Sequence, residues 1–114
     1  MNNPAEIEKS TPHIVVEIVE YVPNSIQVKT IIKKMTGIIT VSSLDAGEEL
    51  TEKTVPFDCF IQVIDGTADV TISNRKYKLH LGEGIIIPAH ATHCFNASEQ
   101  FKMISTVIKS GYEV

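Results

Sequence analysis

Few side chains in this chain of 114 residues have both the chemistry and the spacing to form a reactive or binding site. His90 and His93 stand three residues apart, Cys59 supplies a thiol and Lys53 an amine. An imidazole with an ordinary pKa near 6.5 can hold a polar ligand group or move a proton at neutral pH, so His93 is either a ligand-binding or acid–base group or a hydrogen-bonded interior histidine. A lysine ammonium repels a divalent cation. Buried in apolar surroundings, Lys53 becomes a nucleophilic amine or an anchor for an anion, and next to His93 it can hold a carboxylate; otherwise its stem carries the charge out to water. Thiolate and imidazole are transition-metal ligands, but a metal centre wants about three or four donors. Cys59, His90 and His93 reach the lower number only if Ala89 to Thr92 forms a turn, because residues three apart on an extended strand face opposite sides. Without that turn, Cys59 is a small buried filler and His90 a surface loop residue. Cys94 is adjacent to His93 in sequence and should face away from it, while His13 and His80 read as surface residues of an arm and a strand. There is no phosphate-cradling glycine loop, no Gly-x-Ser-x-Gly elbow, no Cys-x-x-Cys pair and no His-Glu-x-x-His helix.

The elements that must position these groups are strands. From Ser25 onward the chain is a series of short Ile-, Val- and Thr-rich segments ended by Gly, Asp or Asn, the rhythm of an all-β barrel or sandwich. Strands are expected at Ile26 to Lys33, Ile38 to Leu44, Cys59 to Asp65, Ala68 to Ser73, Lys76 to Leu81, Gly84 to Ile87, His93 to Asn96 and Phe101 to Ile108. Val70 and Ile72 alternate with polar neighbours, Ser73-Asn74-Arg75 carries turn chemistry, and Tyr77, Leu79 and Leu81 alternate with Lys76, Lys78 and His80. That pattern is an antiparallel hairpin with one wet face. Cys59 to Ile64 is apolar at nearly every position, so both its faces should be covered, one of them by a second subunit in a homodimer. Residues 1–24 read as an N-terminal arm, mobile or laid on a partner, in which Ile14 to Val19 fits a strand or one or two helical turns. Residues 25–114 form the barrel domain.

Two stretches carry more than periodicity. Gly47, five residues, Lys53-Thr54-Val55, three residues, Cys59, six residues and Gly66 keep the spacing of the first signature motif of the cupin superfamily, with Lys53, Val55 and Cys59 at positions where that motif has His, His and Glu. Gly82, Pro88 and His93 keep the spacing of the second, with His90 in place of its Gly and Ala97 in place of its Asn. Together with Gly47-Glu48-Glu49-Leu50, Pro56-Phe57-Asp58 and Leu81-Gly82-Glu83-Gly84-Ile85-Ile86-Ile87-Pro88-Ala89, the region from Ser25 to Ser110 resembles small single-domain bacterial cupins. The resemblance implies a cupin double-stranded β-helix, a jelly-roll barrel of roughly six to eight strands around an apolar pocket. It also implies a metal site at the pocket's inner end, of which only the His93 position survives here; the group typically has a His at the Lys53 position. Gly66, Gly82 and Pro88 have a mechanical reading of their own, as strand-end residues where a positive φ or a missing N–H is tolerated.

The net charge of −4 offers no basic face for nucleic acid, and no apolar run suits a membrane span. Two cysteines are too few for a disulfide scaffold and fit a cytoplasmic protein. The reading this supports is a metal-free module, without cofactor, that binds a small apolar or weakly acidic molecule through His93, Lys53, Cys59 and Val55. The alternatives are an enzyme, either a metal-dependent oxygenase or isomerase with a divalent transition metal on His93, Cys59 and His90 or a metal-free acid–base catalyst, and a structural or regulatory dimer with a filled pocket.

Overall fold

β-Branched, alternating segments leave the backbone extended, and extended segments must pair. In a computed structural model that describes residues 6–52 and 54–111, they do so as nine strands. These are β1 (Ile26–Lys34), β2 (Gly37–Leu44), β3 (Glu49–Glu52), β4 (Cys59–Gly66), β5 (Ala68–Ile72), β6 (Arg75–Leu79), β7 (Gly84–Ile87), β8 (His93–Asn96) and β9 (Phe101–Ile108). One sheet has the order β1-β2-β9-β4-β7 and the other β3-β8-β5-β6. Every ladder is antiparallel. The two sheets face each other across a core that includes Leu44, Ile61, Val63, Val70, Ile87, Phe95, Phe101 and Met103, which is the jelly-roll arrangement the sequence resemblance implies. No helix among the described residues is long and apolar enough to cross a membrane.

The β5–β6 hairpin turns on Ser73 and Asn74, both with positive φ, and buries Val70, Ile72 and Leu79 on its inner face. Leu81 departs from the expected alternation and is 66% exposed. β6 ends at Leu79 because the Glu83 carboxylate accepts the His80 amide at 2.7 Å and pulls the chain into a turn. β3, which the strand rhythm does not reveal, pairs with β8. It is short, and Glu49 and Glu52 hide its signal.

Residues Val16 to Tyr21 lie over the outer face of the five-stranded sheet. Val15–Glu17 is a single turn of 3-10 helix rather than a strand, and Val19 is buried. The Ser43 hydroxyl donates to the Glu20 carbonyl at 2.7 Å, and the Tyr21 hydroxyl donates to Asp65 Oδ2 at 2.6 Å. Lys102, though only 8% exposed, finds compensation for its charge: its Nζ donates to the Val16 carbonyl at 2.6 Å and sits 4.9 Å from the Tyr21 ring centroid. Burial, then the bond to Asp65, pushes the Tyr21 phenol well above its ordinary pKa. Further out, Lys33 N donates to Glu6 and Ile7 N to the Ile31 carbonyl, so this segment is laid on its own barrel. It leaves the other end of the same face open. There Phe60, Ile86 and Ile108 are 44%, 61% and 57% exposed, so within one copy of the chain the apolar strand β4 has only its inner face fully covered.

Candidate functional site

Between the sheets lies a cavity of about 200 Å³. Strand alternation decides what lines it. From the five-stranded sheet come Val28 of β1, Thr40 and Ser42 of β2, Cys59 and Ile61 of β4, and Met103, Ser105 and Val107 of β9. From the facing sheet come Leu50 of β3 and His93 and Phe95 of β8, with Val55 contributed by the β3–β4 connection. The walls are mainly apolar, as is usual for a small-molecule pocket, with a few polar atoms to orient a ligand.

His93 is half-buried, its ring edge-on to Phe95 with centroids 5.8 Å apart. Its Nδ1 lies 3.3 Å from the Ala91 carbonyl, an acceptor only, so this bond needs the proton on Nδ1 and leaves the Nε2 lone pair for a ligand. Cys59 is buried with Sγ 3.1 Å from Ser105 Oγ, and Val55 supplies apolar wall. Cavity and sequence motif therefore agree on His93, Cys59 and Val55. Lys53 lies outside the described residues.

His90 does not join them. The turn that would let it converge on His93 does form, with Ala91 N donating to the Pro88 carbonyl at 3.1 Å. At its corner, however, His90 takes φ +71°, its amide donates to the Val55 carbonyl at 2.7 Å, and its side chain is exposed to solvent. Among the described residues, no three His, Cys, Asp or Glu side chains come close enough to hold one ion. Among the described residues the donor set Cys59, His90 and His93 is thus not assembled, and those residues do not fit the metal that the sequence resemblance implies. His13 and His80 are exposed, His80 with Nδ1 2.9 Å from Glu83 Oε1, and neither borders the cavity.

Of the polar residues that line the cavity, motif spacing does not single out Thr40, Ser42 and Ser105. Their signal was present. Thr40 and Ser42 share the parity of buried Leu44, and Ser105 that of buried Phe101 and Met103.

No protein-family model matches the sequence, and no curated protein does either. Solved structures do. A conserved protein of unknown function from Streptococcus pyogenes is 28% identical over 96% of both chains, with a TM-score of 0.87. A cupin 2 conserved barrel domain protein from Leptotrichia buccalis is 30% identical over 82% of this chain, with a TM-score of 0.79. This chain spans 46% of that protein's length. A cupin superfamily protein from Desulfitobacterium hafniense matches 90% of this chain and 94% of its own at 20% identity, with a TM-score of 0.84.

Proposed function

The chain being a small cupin barrel, we propose that it works as a metal-free binding module for a small organic molecule held between its sheets. The cavity carries this reading. It lies between apolar strands and opens to solvent beside Val28, and His93 offers it an imidazole whose Nδ1 is held by the Ala91 carbonyl. Its volume of about 200 Å³ is somewhat above the roughly 150 Å³ that takes up benzene in an engineered core, so the occupant is a compact molecule of ring size. The oxygenase or isomerase alternative is less well supported, since among the described residues a metal would find too few donors at this site. Two free cysteines support a reducing compartment such as the cytoplasm.

The test is a melting-temperature screen with ring-sized aromatic and aliphatic compounds, run beside Val55→Phe, which fills the cavity from a loop and leaves every strand intact. Compounds that raise the wild-type melting temperature should leave the variant unmoved. A screen without a hit, or hits that survive in Val55→Phe, would remove the cavity from the function.

We also propose that the open end of the five-stranded sheet docks a second copy of this chain. Ile32, Ile39, Thr106, Phe60 and Ile86 are register partners across β1, β2, β9, β4 and β7, forming one uncharged row about 20–25 Å wide. The next row carries Lys34 at the β1 edge and Asp58 beside Ile108 towards the other edge. A two-fold axis along the central strand β9 lays apolar row on apolar row and brings the β1 edge of each copy over the β7 side of the other. Lys34, which pairs with Glu6 at 3.8 Å in its own chain, then lies over the side that carries Asp58, so unlike rather than like charges meet at the rim.

A further inference from the structure

The cavity has one wall unlike the rest. Thr40 on β2 and Ser105 on β9 are register partners, so their hydroxyls project from the same face of the sheet, and Ser42 follows two residues along on that face. Ser105 is engaged with Cys59 at 3.1 Å. Among the described residues, neither the Thr40 nor the Ser42 hydroxyl has a hydrogen-bond partner, although Ser42 is only 4% exposed. No fully enclosed side-chain nitrogen or oxygen in the described residues lacks a partner, so both hydroxyls must open onto the cavity they line. A purely apolar ligand filling the cavity would strip these hydroxyls of water and leave them unpaired, whereas a ligand with a hydroxyl or carbonyl pairs with them.

The described lining contains no Lys, Arg, Asp or Glu. His93, the described lining side chain that can carry a positive charge, stands on the facing sheet, so an anionic group bonded to Thr40 and Ser42 would be desolvated there without a counter-charge beside it, whereas a neutral hydroxyl or carbonyl would be fully served by this wall. We infer that the cavity selects a compact, uncharged molecule whose apolar body packs on Leu50, Phe95 and Val107 and whose hydroxyl or carbonyl group bonds to Thr40 and Ser42. This rests on the barrel being a binding module at all. It narrows the ligand from apolar or weakly acidic to neutral and hydrogen-bonding, and it assigns the polar contacts to β2.

Calorimetric or NMR titration of the full chain at neutral pH with benzene, phenol and benzoate separates the possibilities, because the three share a ring and differ in one group. Phenol should bind about tenfold more tightly than benzene, the worth of one good hydrogen bond, and more tightly than benzoate. In Ser42→Ala combined with the isosteric Thr40→Val, phenol and benzene should converge to within about twofold while benzene affinity holds. Should the double variant fold poorly, the wild-type ranking decides alone. Equal binding of benzene and phenol, or tightest binding of benzoate, overturns the hydroxyl-wall assignment while leaving the barrel a binding module. Binding of none of the three overturns both.

Discussion

Tyr21 ties the N-terminal segment to the sheet through one hydroxyl, and the chemistry of that bond sets how it fails. Tyr21→Phe removes the donor to Asp65 and should cost about 1–2 kcal/mol. Because burial, and then the bond to Asp65, hold the folded phenol's titration above its ordinary value, the neutral phenol contributes stability that is fully present below about pH 10 and is lost as the pH climbs beyond it. Wild-type melting temperature should therefore fall more steeply than that of Tyr21→Phe above about pH 10; parallel profiles would contradict the assignment. The site residues divide along similar physical lines. His93 and Cys59 were legible in the sequence because motif spacing gives their strand positions and strand position gives their facing into the cavity, while Val55 reaches the same cavity from the β3–β4 connection. His90 was not, because its direction hangs on a single backbone angle, φ +71°, that composition does not reveal. Thr40 and Ser42 were legible in parity but have no chemical signature, since Ser and Thr are ordinary strand residues.

Alternation made most elements readable, and where it was interrupted reading failed. Eight of the nine strands follow from β-branched runs between turn residues, whereas β3 is four residues with a carboxylate at each end. Gly66 and Gly82 look alike in sequence, each at a strand end and each with positive φ. Their surroundings differ. A Cβ on Gly66 would lie 2.1 Å from the Gln100 carbonyl oxygen, where β4 closes against β9, while one on Gly82 meets nothing within 4 Å. Gly66→Ala should thus cost about 2–4 kcal/mol, strain plus backbone displacement, and Gly82→Ala only about 1 kcal/mol. Denaturant unfolding of the two variants reads the difference directly, and equal losses would mean that the β4–β9 closure is looser than this geometry.

At the scale of the whole molecule, one barrel presents two apolar surfaces, one enclosed and one open. The open row across Phe60 and Ile86 predicts a dimer by sedimentation, and Phe60→Lys with Ile86→Lys should give a monomer that still melts cooperatively. A wild-type monomer at tens of micromolar would leave that face without its second copy. The enclosed surface carries the central claim, that the site works through organic ligands and not through an ion. The most direct test is elemental analysis of protein purified without chelator, incubated with iron, manganese, nickel and zinc and then desalted, beside His93→Ala treated alike. Far less than one equivalent of any metal in both proteins is the predicted result. Near-stoichiometric metal in the wild type that is lost in His93→Ala would contradict it.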